Sequence, residues 1–170
     1  CMQDYKISKQ SGGPPPAPWL LSVVVPMYNE EEVVEVFHKR LVAVLAKLDA
    51  TVEIIYVNDG SRDGTLLRLR RLAANDANIT LLDLSRNFGK EVAMTAGLDH
   101  ACGDAVVLID ADLQDPPELI PRLIDEWRRG YDMVYGKRSR RDGETITKRA
   151  SAYAFYRVMQ WLCHVKIPED

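Results

Sequence analysis

The 170-residue sequence has only three cysteines, Cys1, Cys102 and Cys163, and no two of them stand at the short spacing of a metal-binding pair. An odd count at wide spacing is not a disulfide framework, which points to a reducing compartment. The three histidines, His38, His100 and His164, are scattered and read as structural or surface residues, so no Ser-His-Asp or Cys-His arrangement can be argued. No run reaches the ~18 apolar residues of a transmembrane helix, and residues 1–18 lack the apolar core of a secretory signal. Basic excess is also missing: 22 Lys and Arg face 25 Asp and Glu, a net charge of −3. That balance argues against a general nucleic-acid binder, and no nucleic acid is expected as a partner. There is no Walker phosphate loop, and no Gly-x-Gly-x-x-Gly follows the first apolar run. Phosphate-loop NTPases and dinucleotide oxidoreductases thus lose their main support.

What is present is a globular composition, 46% hydrophobic and 28% charged. The length suggests one domain, able to bury roughly 70% of its unfolded surface without a disulfide or metal. Residues 1–18 end in a Gly- and Pro-rich stretch, Gly12 to Pro18, and read as a flexible or extended arm or an expression remnant. The chain starts at Cys and stops in a polar tail, which suggests a fragment of something longer. From Leu20 the pattern becomes regular. Strands are expected at 20–25, 52–57, 79–84, 105–109 and 133–135, and helices at 31–48, 65–74, 91–101, from Asp115 to about Arg129, and at 147–164. Asp115, Pro116 and Glu118 fit the N-cap, first and third positions of a capping box. A polar loop is expected over 136–146. Alternating strands and helices imply an α/β fold, a mostly parallel sheet with helices on both faces. In such sheets ligands sit beyond the carboxyl ends of the strands.

Those ends are rich in polar groups. The first carries Pro26-Met27-Tyr28-Asn29-Glu30, the second Asn58-Asp59-Gly60-Ser61, the third Ser85 to Lys90, and the fourth Asp110-Ala111-Asp112-Leu113-Gln114. Asp110 and Asp112, two carboxylates at i and i+2, repel one another unless a hard cation such as Mg²⁺ or Mn²⁺ sits between them. Gln114 adds a neutral oxygen. Such an ion can neutralise a departing diphosphate. The bland alternative is that Asp112 or Asp115 caps the next helix. Asp59-Gly60 is equally a common turn. Tyr28 could stack on a nucleobase or simply pack a loop, and Glu30 could oppose the first helix dipole. Lys90, after Gly89, could meet a phosphate at a helix N-terminus. Residues 137–157 hold seven basic side chains, Lys137, Arg138 and Arg140 among them, against Asp142 and Glu144. They form a solvated basic face or a site for an anion or membrane surface. The last helix mixes aromatics with cations, as an interfacial helix or an oligomer interface would.

The four ordered motifs, from Ser22 to Glu30, Val57 to Ser61, Ser85 to Lys90 and Asp110 to Glu118, resemble glycosyltransferase family 2. More narrowly they resemble its polyprenyl-phosphate glycosyltransferases, a group with the bactoprenol glucosyltransferases and dolichol-phosphate mannose synthases. The resemblance covers residues 20–170. It implies a GT-A type nucleotide-sugar fold over 19–170, truncated before the family's juxtamembrane and transmembrane region. It places Pro26, Tyr28 and Glu30 in a nucleoside pocket, Asp59 on the base, and Lys90 near the phosphates. Asp110 would touch the ribose or the metal, and Asp112 and Gln114 would hold Mg²⁺ or Mn²⁺. Lys137, Arg138 and Arg140 would hold the acceptor phosphate. The implied reaction is inverting transfer of a sugar, glucose from UDP-glucose, to a polyprenyl (undecaprenyl) phosphate at the cytoplasmic face of the inner membrane. Donors such as GDP-mannose, UDP-GlcNAc or a UDP-modified arabinose, or a glycan acceptor, stay open. The partners implied are the donor, the lipid acceptor and the membrane surface, with a homo-oligomer left open and the fragment itself expected to be soluble.

Overall fold

The computed structural model describes residues 7–8, 18–112 and 116–136. Contacts divide the chain into Ile7–Val134, which holds every element below, and a second unit of Cys1–Lys6 and Tyr135–Asp170. Of the second unit only Tyr135 and Gly136 are among the described residues. In chain order the elements are β1 (Ile7–Ser8), β2 (Leu20–Met27), α1 (Val34–Leu45), β3 (Thr51–Asn58), α2 (Thr65–Asn75), β4 (Ile79–Asp83), α3 (Lys90–His100), β5 (Ala105–Leu108), a 3-10 turn (Pro117–Leu119), α4 (Ile120–Arg128) and β6 (Met133–Val134).

Four strands form a parallel sheet in the order β4-β3-β2-β5. The period of two in β2 and β3 divides their side chains between the sheet's faces. Leu21, Val23, Val25 and Met27 of β2, with Ile54 and Tyr56 of β3, join one core cluster with Phe37, Leu41, Leu69, Ile120 and Ile124 from α1, α2 and α4. Val24, Ile55 and Val57 face the other way and pack with Ala93 of α3. Both faces are therefore covered, which is why β2 and β3 read as continuous apolar runs and not as alternating ones. In α1 the buried residues are Val34, Phe37, Leu41, Val44 and Leu45, the stripe expected of a helix with one face on a sheet. Fully burying a side chain of Phe37's size stabilises by roughly 1.5–3 kcal/mol.

Two expectations change at element starts. Residues 31–33 form a turn and α1 begins at Val34, because the Val33 and Val34 amides both donate to the Glu30 carbonyl, at 3.0 and 3.1 Å. The helix expected from Asp115 begins only at Ile120, after the 3-10 turn. Pro116 is extended (φ −68°, ψ 129°), since a residue before proline is pushed out of the helical region and Pro117 follows it. The Glu118 carboxylate takes Arg40 of α1, with Nη2 2.9 Å from Oε2; the capping box expected of it rests on Asp115. Asp115, the rest of the 136–146 loop after Gly136, and the helix expected over 147–164 lie outside the described residues. Two residues of the expected arm form β1, which pairs antiparallel with β6.

Candidate functional site

The carboxyl ends of β2, β3 and β5 and the N-terminus of α3 enclose a cleft of about 220 Å³. Its lining includes seven residues expected from the sequence: Pro26, Tyr28, Glu30, Asp59, Lys90, Asp110 and Asp112. Parallel strands starting in register at the opposite end deliver their trailing loops to one place, which is how residues from 26 to 112 meet. Gln114, Lys137, Arg138 and Arg140 lie outside the described residues. Among the described residues Asn87, Gly89, Met27, Ala93 and Ala111 also line it. Met27 and Ala93 were not expected there, because an apolar side chain at a strand end or in a helix carries no sequence signal beyond packing.

Electrostatics divide the cleft. The Lys90 ammonium pairs with the Asp110 carboxylate. Asp112 is exposed at the rim. Burial, then the negative charges of Asp112, Asp63 and Asp110, push the Glu30 carboxyl up from its usual range. Glu30 does not cap α1 with its side chain; the helix has no side-chain cap, and the Glu30 carbonyl closes the first turn. Tyr28 is 40% exposed at the mouth, so one ring surface is accessible to a ligand. Asp59 is 3% exposed, and its two oxygens accept hydrogen bonds from the Phe88 and Gly89 amides at 2.7 and 3.0 Å.

Two loops of the site are tied together. Asn29, in the left-handed region at φ 53°, donates its amide to Ser61 Oγ (3.0 Å) and accepts from the Arg62 amide at Oδ1 (2.9 Å). The Glu30 amide donates to Thr65 Oγ1 (2.8 Å). The Glu31 carboxylate accepts from the Gly64 amide (2.9 Å) and from Arg68 (3.2 Å). A Cβ at Gly64 would lie 2.3 Å from that carboxylate, which would have to swing aside to admit it. Burial raises the Asp63 carboxyl, but hydrogen bonds from Thr65 and the Glu31 amide outweigh it and hold the group below its usual value.

A divalent cation is the group this acidic mouth would suit. The acidic donors are all oxygen, and the Glu30 carboxyl is raised by its burial first and then by Asp112, Asp63 and Asp110, whose negative charge a cation would offset. Among the described residues no three His, Cys, Asp or Glu side chains are grouped to hold a metal. The residues that would hold it are Asp110 and Asp112, both in the lining; Mg²⁺ is commonly bound through one or two carboxylates plus substrate phosphates.

The parallel sheet with flanking helices and a polar cleft at the strand ends is of the GT-A type, as in the solved glycosyltransferases it resembles. The chain belongs to glycosyl transferase family 2, whose model matches residues 22–164. It is 53% identical over 150 residues to an uncharacterized glycosyltransferase of Synechocystis, covering 88% of this chain and 47% of that protein. It is 47% identical over 150 residues to the bactoprenol glucosyl transferase of Shigella phage SfV, covering 88% and 49%. The chain thus spans about half the length of these curated relatives. Among solved structures it resembles glucosyl-3-phosphoglycerate synthase from Mycobacterium tuberculosis in complex with Mn²⁺, UDP and phosphoglyceric acid (TM-score 0.52, 28% identity, 67% of this chain and 40% of that one). It also resembles a mannosyltransferase from Pyrobaculum calidifontis in complex with GDP-Man and Mn²⁺ (TM-score 0.51, 29% identity, 65% and 31%). No helix among the described residues is long and apolar enough to cross a membrane.

Proposed function

We propose that the cleft binds a nucleoside-diphosphate sugar and serves transfer of glucose from UDP-glucose to a polyprenyl phosphate at the cytoplasmic face of a membrane. The observation that carries this reading is the meeting of Asp110, Asp112 and Lys90 with Pro26, Tyr28 and Glu30 in one cleft at the strand ends. Pro26 and Tyr28 would flank the nucleoside. Lys90, now held by Asp110, would exchange that partner for a donor phosphate. Asp110 and Asp112, with Gln114, would hold Mg²⁺ or Mn²⁺, which when bound neutralises charge on the diphosphate leaving group. The acceptor is a phosphate monoester, already largely anionic near pH 7, so it needs little help from a general base. The protein's task is to position the two substrates for displacement with inversion. In this proposal the basic residues Lys137, Arg138 and Arg140 hold the acceptor phosphate. The relatives named bactoprenol glucosyl transferase support glucose and a lipid acceptor.

The test is thermal unfolding with UDP, GDP or CDP, each with Mn²⁺ or with EDTA. A ligand at about 100 times its Kd stabilises by about 2.7 kcal/mol. The expected result is a raised midpoint with UDP and Mn²⁺, lost in EDTA and in Asp112→Asn. A shift with GDP alone would move the donor to a GDP-sugar, and no shift with any nucleotide would defeat the donor-site reading.

A further inference from the structure

We propose that Asp59 is a positioning residue: its carboxylate clamps the loop before α3 and thereby sets Lys90 in the cleft. The purpose of the clamp rests on the reading of the cleft as a diphosphate site, but the clamp itself does not. The carboxylate is buried, and each of its oxygens takes one backbone N–H, from Phe88 at 2.7 Å and from Gly89 at 3.0 Å. Hydrogen bonds to an ionised acceptor are roughly twice as strong as neutral ones. The same residue is anchored at its own backbone, where the Asp59 amide donates to the Met27 carbonyl at 2.9 Å. One residue therefore links the ends of β2 and β3 to the start of α3.

The next residue brings the loops into contact. Gly60 has φ +63°, and a Cβ there would lie 2.3 Å from the Arg86 carbonyl carbon and 2.4 Å from the Asn87 nitrogen. The 85–89 loop thus lies against the Asp59-Gly60 backbone with no room for a side chain. The clamped amides belong to Gly89, the N-cap of α3, and to Phe88 before it. A carboxylate that served only as a helix cap would take the amides of the second or third helical residue. Here the approach to the helix is fixed instead. Gly89 adopts φ 98°, a conformation that L side chains rarely adopt, and it turns the chain directly into Lys90. Lys90 then reaches Asp110. The order of control runs from Asp59 through the Phe88 and Gly89 amides to Lys90 and so to the anion.

The experiment uses the 170-residue chain, with residue-resolved amide exchange by NMR and calorimetric titration of UDP, GDP and inorganic pyrophosphate in Mn²⁺. In the wild type the Phe88 and Gly89 amides should be protected; exchange at the unprotected rate there overturns the clamp without any variant. In Asp59→Asn the two amides should exchange at least tenfold faster, since the carboxamide replaces one acceptor by a donor. In Lys90→Met they should be unchanged. Asp59→Asn should weaken UDP, GDP and pyrophosphate by a similar factor. It should add little once Lys90→Met is present, because a residue acting through another is not additive with it. A loss confined to one nucleotide, with pyrophosphate affinity and amide exchange intact, would show that Asp59 reads the base and would overturn the proposal. If the wild type binds none of the three anions, the donor-site reading fails, and the exchange comparison still decides the clamp.

Discussion

His38 shows what burial does to a single titratable group away from the cleft. It sits on α1 with Nδ1 2.9 Å from the hydroxyl of Tyr56, which is fully buried on β3. Burial pushes the Tyr56 phenol up. Burial also lowers the His38 imidazole below 6.5, against the opposing pull of Asp76. A base with a depressed folded pKa takes up its proton later than the unfolded chain does. Between that value and 6.5 the unfolded state therefore binds more protons, and stability falls as the pH falls. His38→Gln should flatten the decline of the unfolding midpoint below pH 6.5, and an unchanged slope would rule His38 out as its source. Tyr56→Phe removes the hydroxyl partner, at a cost of about 1 kcal/mol.

At the scale of elements, α3 sits closely on the sheet. A Cβ at Gly97 would lie 2.2 Å from Val24 Cγ1 and 3.1 Å from Val57 Cγ2, so the helix rests on the sheet through a bare backbone. Gly97→Val should overpack this contact and destabilise by about 2–3 kcal/mol, a fall of roughly 5–10 °C in Tm. A variant melting with the wild type would show that α3 can lift without cost. From Leu20 on, the existence and order of these elements were legible in the sequence, because β2 and β3 are short β-branched apolar runs between polar loops and α1 repeats its apolar residues at helical spacing. The start of α4 was not. Glu118 has the right residue type for a capping box, yet it pairs with Arg40, a partner on another element. Local pattern cannot find a guanidinium 78 positions away.

Across the whole molecule the two ends of the sheet carry different burdens. The carboxyl end gathers seven expected residues into the cleft, and it was legible because strand ends locate themselves once the strands are found. The Asp59 clamp and the Glu31–Gly64 tie at that end were not legible, since they join loops about thirty residues apart. The opposite end is built for closure. Buried Ser22 donates to the Glu53 carboxylate and accepts from the Gly103 amide at 2.8 Å, while the Cys102 amide reaches the same Glu53 oxygen at 2.8 Å. These bonds fasten the entry to β5 onto β2 and β3. Glu53 ties strands together at one end and Asp112 lines the cleft at the other, so stability and ligand binding should respond to different residues. Glu53→Ala should cost about 1–2 kcal/mol by stripping partners from Ser22 and Cys102, and should leave the midpoint increment from UDP and Mn²⁺ intact. Asp112→Asn should do the reverse, keeping the unliganded midpoint near the wild type's and abolishing the increment. Paired melting curves of the two variants, with and without ligand, check both halves. If Glu53→Ala also erased the increment, the ends of the sheet would be coupled, and the cleft could not be treated as a site grafted onto an independent scaffold.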